Sequence, residues 1–104
     1  MTLNVPLQPG DGDERFLVAL TEALVPAMEG FRPGFVLVSA GFDAHRADPL
    51  GGLQVSTGAF GEATRIVRGI AERFASGRIV STLEGGYDLT ALADSTAIHL
   101  QALL

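Results

Sequence analysis

Phe35-Val36-Leu37-Val38-Ser39-Ala40-Gly41-Phe42-Asp43-Ala44-His45-Arg46-Ala47-Asp48-Pro49-Leu50-Gly51-Gly52 runs from an unbroken apolar segment straight into a polar, glycine-bearing loop. A second stretch repeats the arrangement, with Arg78-Ile79-Val80-Ser81-Thr82-Leu83 leading into Glu84-Gly85-Gly86-Tyr87-Asp88. Short apolar runs with β-branched content, bounded by glycine and proline, read as strands, and their continuity predicts burial on both faces. Between them, Ser56 or Thr57 can cap a helix whose apolar positions Phe60, Ile66, Val67, Ile70, Ala71 and Phe74 follow a 3.6-residue period, closed by Gly77. A strand–helix–strand unit of this length implies a parallel pair with a right-handed crossover. The carboxyl ends of both strands then share one rim, which is where open α/β sheets bind ligands.

Outward from this unit the pattern continues. Asp13 is a candidate N-cap, and Phe16, Leu17, Leu20, Leu24 and Met28 recur at helical spacing, which predicts a helix over 13–29. Pro26 should start its last turn or kink it, and Gly30 with Pro33-Gly34 should end the segment. Asn4-Val5-Pro6-Leu7 reads as a short extended piece at a sheet edge. A last helix is expected from about Thr90 to Leu103, with Leu92, Ala93, Ile98, Leu100 and Leu103 on its apolar face. The expected class is α/β, layered in three around a parallel sheet, with residues 1–104 in one domain and no internal repeat.

Composition narrows the function classes. Cysteine is absent, so disulfide staples and thiolate zinc sites are excluded, and any metal must be held by Asp, Glu or His. A net charge of −5 gives no basic footprint for nucleic acid. No apolar stretch has the length of a membrane span or the form of a signal peptide, and the cytoplasm is the expected setting. Hydrophobic residues make up 47% of the chain, a high content for 104 residues. Such content implies that some apolar surface is covered by a partner or by another segment.

The two rim loops hold the residues capable of chemistry. Asp43, just past the first strand, can ligate a divalent cation or hold a substrate amine. His45 and Asp48 could complete a local site with it. In the alternative reading Asp48 organises the turn before Pro49 and His45 points to solvent. Gly85-Gly86 lets the backbone approach a ligand and presents the Tyr87 phenol as a hydrogen-bond donor to a developing oxyanion, or else forms only a tight turn. His99, among apolar neighbours in the last helix, reads as structural.

At these residues the chain resembles the zinc-dependent histone deacetylase superfamily, nearest to its class II and bacterial amidohydrolase-like branch. The segments that carry the resemblance are Val38-Ser39-Ala40-Gly41-Phe42-Asp43-Ala44, Asp48-Pro49-Leu50-Gly51-Gly52 and Leu83-Glu84-Gly85-Gly86-Tyr87, preceded by Asn4-Val5-Pro6-Leu7 with Gly12-Asp13. The resemblance implies the C-terminal part of an arginase/deacetylase-like fold. It also implies Asp43 as a zinc ligand, Tyr87 as the catalytic donor to the substrate carbonyl, Leu50 as a wall of the acyl channel, and Gly85 and Gly86 as the loop beside it. His45 has no ligand role in that pattern.

The implied reaction is hydrolysis of an acylated amine, such as acetyl-lysine or an acetylpolyamine. The family's Asp-x-His ligand pair and its paired histidines have no counterpart in residues 1–104. The expectation is therefore a C-terminal portion that binds zinc weakly or not at all alone and is inactive alone. The alternative is a non-catalytic association module that completes a sheet with another chain or with its own copy through an exposed edge.

Overall fold

The computed structural model describes residues 1–104. Helix α1 (Asp13–Val18) passes through a π-helical segment (Ala19–Leu24) into α2 (Val25–Phe31), so the predicted helix exists and extends two residues further. Pro26 sits in the first turn of α2, where its missing N–H costs least, and the wide turn immediately precedes it. Gly30 lies inside the helix. The chain leaves it at Arg32, which takes a left-handed φ of 58° and returns its N–H to the Met28 carbonyl. Asp13 does not cap its own helix; Gly12 is at the N-cap, and the Asp13 carboxylate is used elsewhere. The expected extended piece at Asn4–Leu7 joins no sheet.

Strand β1 (Val36–Ala40) pairs in parallel with β2 (Ile79–Leu83), in register from Val36 opposite Ile79 to Ala40 opposite Leu83. The crossover helix α3 (Thr57–Phe74) starts at Ser56, whose Oγ accepts the Ala59 N–H. It ends before Gly77, whose N–H bonds the Ala71 carbonyl. Helix α4 (Leu89–Leu103) starts at Asp88, whose carboxylate caps the Ala91 N–H. By sequence alone Asp88 falls in the loop before this helix.

Helices α1, α3 and α4 pack on the face of the sheet that carries Val38, Ala40 and Ser81. Phe60 is the hub: Phe42 meets it edge-to-face at 5.0 Å between ring centroids and Phe16 at 5.6 Å. Burying each such ring contributes about 1.5–3 kcal/mol, with up to about 1.5 more for the ring geometry. Small residues on α4 (Ala91, Ser95, Ala102) let it lie close to α3, where a Cβ on Gly61 would stand 2.9 Å from Ile98.

The other face corrects the expectation of doubly buried strands. Leu37 is 77% exposed and Val80 53% exposed, because nothing in the chain packs over them. Phe35 falls outside β1 and is also exposed. The two strands each have only one neighbour, so both outer edges are unpaired. No helix is long and apolar enough to cross a membrane.

His99 is buried between α4, α3 and β2, which agrees with its structural reading. Thr64 gives its hydroxyl proton to the Phe60 carbonyl, so it can only accept from His99 Nδ1 at 2.7 Å; Nε2 then accepts from Ser81 Oγ at 2.7 Å. Burial pushes the imidazole below its ordinary value of 6.5. The unfolded chain therefore takes up a proton before the folded one does. Stability at neutral pH should be full and should fall as pH drops below about 6.5. Urea midpoints measured from pH 8 to pH 5 should show this slope, and His99→Asn should flatten it.

Candidate functional site

The parallel register brings both loops to one rim, as expected, and backbone bonds hold them side by side. Glu84 N–H reaches the Ala40 carbonyl at 2.9 Å, and Phe42 N–H reaches the Gly85 carbonyl at 2.8 Å. Phe42 faces the core, which turns the next residue, Asp43, outward to the rim. The Asp43 carboxylate lies against the backbone of the second loop. A Cβ on Gly85 would stand 2.8 Å from its Oδ2, and a Cβ on Gly41 would stand 3.2 Å from its Oδ1. Only glycine at 85 allows this approach. Gly86 has φ +135° and backs onto Phe42 and Leu92. Tyr87 follows with its side chain 56% exposed, and Leu50 on the first loop is 72% exposed.

Three other polar residues at the rim, Asp13, His45 and Asp48, are committed to scaffolding. Asp13 accepts both the Ser56 N–H and the Ser56 hydroxyl at 2.6 Å, tying the start of α1 to the start of α3. His45 does not point to solvent: it is 7% exposed and both ring nitrogens are used. Its Nδ1 accepts the Ala47 N–H, so Nε2 carries the proton and donates to Thr57 Oγ1 at 2.9 Å. Asp48 does organise the turn, accepting the Leu50 N–H at 2.8 Å and the Gly51 N–H at 3.0 Å on Oδ1. It also does something the sequence did not show, accepting the Tyr87 N–H at 2.8 Å on Oδ2. Partial desolvation pushes the Asp48 carboxyl up, but bonds from Leu50, Tyr87 and Gly51 outweigh it and hold it below its ordinary value of 3.8.

A local metal site at Asp43, His45 and Asp48 does not survive this geometry. No group of three or more His, Asp or Glu side chains is placed to hold a metal ion. Asp43 is different: its carboxylate enters no hydrogen bond or ion pair with any side chain or backbone group of the chain. A carboxylate free of internal partners on this rim fits one ligand of a divalent cation. Glu84, on the second loop, is also without an internal partner, but it is exposed, whereas Asp43 is half-buried against Gly85.

A cavity of about 260 Å³ lined by Phe16, Val38, Phe42, Phe60 and His99 lies between the sheet and its helices, away from Tyr87. It is packing space behind the rim.

The sequence profile of the histone deacetylase domain matches residues 1–103. The chain is 46% identical to histone deacetylase 10, chloroplastic, of Oryza sativa subsp. japonica over 99% of its own length and 23% of that protein. It is 46% identical to the histone deacetylase-like amidohydrolase of Pseudomonas aeruginosa over 82% of its own length and 22% of that protein. Among solved structures, the histone deacetylase Clr3 superposes with a TM-score of 0.85 at 31% identity, over 92% of this chain and 16% of that one. The HD domain of HDA15 superposes with a TM-score of 0.84 at 32% identity, over 92% and 26%. The chain thus spans about a quarter of the length of the curated relatives it matches.

The close approaches at the rim give a direct test. A Cβ on Gly51 would lie 1.7 Å from the Asp43 carbonyl oxygen, against backbone that cannot yield. Gly51→Ala should lower stability by about 1–3 kcal/mol through overpacking. Gly69→Ala, on the open side of α3 with nothing within 4 Å, should instead raise it by up to about 1 kcal/mol. Urea unfolding of the two variants checks the contrast.

Proposed function

The chain belongs to the histone deacetylase domain family, and from that premise we propose that it forms part of an amidohydrolase site acting on acylated amines. In this reading Asp43 is one carboxylate ligand of zinc and Tyr87 donates to the substrate carbonyl oxygen. The observation that carries it is the Asp43 carboxylate, free of internal partners and seated against Gly85, on the loop that presents Tyr87.

Bound zinc supplies Lewis acidity toward the amide carbonyl. Asp43 offers that ion an anionic oxygen. The Tyr87 hydroxyl would donate to the oxygen on which charge develops as the amide is attacked, a role worth about 10²–10³ in rate for one such donor. Leu50, Gly85 and Gly86 line the approach, and the apolar Leu50 side chain suits the methylenes of an acylated amine such as acetyl-lysine or an acetylpolyamine. Neither histidine of this chain is available as a general base, since His45 and His99 each have both ring nitrogens hydrogen-bonded. The chain therefore works only together with residues that supply the base and the other ligands, and alone it releases no acetate.

A chimera in which this chain replaces the matching part of the Pseudomonas aeruginosa relative tests the reading by acetate release from an acetyl-lysine peptide. Tyr87→Phe should lower kcat by about 10²–10³ with KM little changed. Asp43→Ala should lose bound zinc by elemental analysis. Full kcat in Tyr87→Phe would overturn the assignment.

A second reading, association through the sheet, is favoured by the exposed Leu37 and Val80 and by the two unpaired strand edges. Light scattering should show concentration-dependent association of the purified chain, and Leu37→Lys with Val80→Lys should shift it toward monomer. A clean wild-type monomer at all concentrations would sink this second reading.

A further inference from the structure

Asp48 is the one rim residue whose side chain hydrogen-bonds to both loops. Its Oδ1 accepts the Leu50 and Gly51 N–H groups, and its Oδ2 accepts the Tyr87 N–H. Bonds to an ionised acceptor are about twice as strong as neutral ones, and these three are all to main chain. They therefore set backbone position rather than side-chain position. Gly51, held from one side by this carboxylate, is pressed on the other against the Asp43 carbonyl. The Tyr87 phenol is itself largely exposed and enters no hydrogen bond in the chain, so the bond at its backbone N–H is the hydrogen bond that anchors this residue, leaving only its own torsions to vary.

We propose that Asp48 is a positioning residue, a carboxylate clamp that fixes the Tyr87 phenol relative to Leu50 and Asp43 by bridging the two rim loops through their main chain. The inference rests on the role proposed for Tyr87. It adds a residue that touches neither substrate nor metal, yet sets the distance between the carbonyl donor and the channel wall. A displacement of about 1 Å in such a group can cost roughly 10² in rate, so a lost clamp registers in kcat.

Asp48→Asn separates the clamp from the turn. The single amide oxygen can keep the bonds to Leu50 and Gly51, while the amide NH₂ then faces the Tyr87 N–H, donor against donor. The chain has one tyrosine and no tryptophan, so its intrinsic fluorescence reports Tyr87 alone. In the purified Asp48→Asn chain, tyrosine anisotropy should fall and the Tyr87 amide should exchange at least about tenfold faster, with the Leu50 and Gly51 amides still protected. In the chimera the same change should lower kcat by about 10–10² with KM little altered.

Should Asp48→Asn fail to fold, the wild-type chain still decides. Its Leu50, Gly51 and Tyr87 amide protons should shift together on acidification, with one midpoint below 3.8. His45 is the charged neighbour that acts on this carboxylate. A Tyr87 amide that does not follow the other two, or unchanged anisotropy and exchange in Asp48→Asn, overturns the clamp. Full activity of Tyr87→Phe in the chimera overturns the role of Tyr87 itself, and the two failures are read from different measurements.

Discussion

The in-register parallel pairing of Val36–Ala40 with Ile79–Leu83 is the constraint from which the rest of this structure follows. Parallel strands cannot be joined by a tight turn, so the chain must cross back over one face, and α3 is that crossing. Because both strands run the same way and end level, Ala40 opposite Leu83, the loops leaving them start side by side. The ladder then continues one step beyond each strand, with Phe42 N–H on the Gly85 carbonyl. Asp43 and Gly85 meet for this reason, although they are distant in the chain. Slipping the register by one residue would put Leu37 into the core and Val38 outside, and would also separate Asp43 from the glycine that makes room for it.

Much of this was legible in the sequence because it depends on local periodicity. The two strands, the crossover helix and the last helix announce themselves through apolar spacing, and Ser56 through its place before that spacing. The rim position of Asp43 and Tyr87 followed from the same reading. What escaped were side-chain bonds between residues far apart. Asp13 looks like an N-cap in sequence, yet its carboxylate is taken by Ser56, 43 positions away. His45 sits in a polar loop and reads as exposed, but the loop folds back over it and the ring stacks near Phe60. Asp48 before Pro49 signals a turn, and nothing local signals its second oxygen bonding Tyr87. The expectation of doubly buried strands fails for another reason: a continuous apolar run reports what a strand can be buried by, not whether the cover lies in the same 104 residues.

The polar inventory explains why the candidate chemistry concentrates on so few groups. Asp13, His45, Asp48, Asp88 and His99 all belong to bonds that fix caps, loops or the α4–sheet contact. Removing any of these side chains leaves a donor or acceptor to find another partner, which ties them to folding. Asp43 and the Tyr87 hydroxyl have no internal partner, as do the exposed side chains of Arg46 and Glu84; of the two free carboxylates, only Asp43 is half-buried against the neighbouring loop. A carboxylate held against backbone glycine without a bonded donor is a poor structural device, since it gains nothing for the close approach. The ligand role proposed for Asp43 would give that close approach a purpose.

The exposed face completes this argument. A sheet of two strands with Leu37 and Val80 turned outward leaves apolar surface that the helices on the opposite side cannot reach. The same 104 residues thus leave the outer sheet face without a cover, and the function proposed for Asp43 would in addition require further ligands and a base beside it. The matched relatives are about four times as long as the region they share with this chain. A single additional layer of protein pairing with the free strand edges could satisfy both requirements, since extending a parallel sheet by one strand also brings another carboxyl-end loop to the same rim. Under the proposed function, the exposed apolar face and the need for further donors would both trace to one architectural fact, the unpaired edges of β1 and β2.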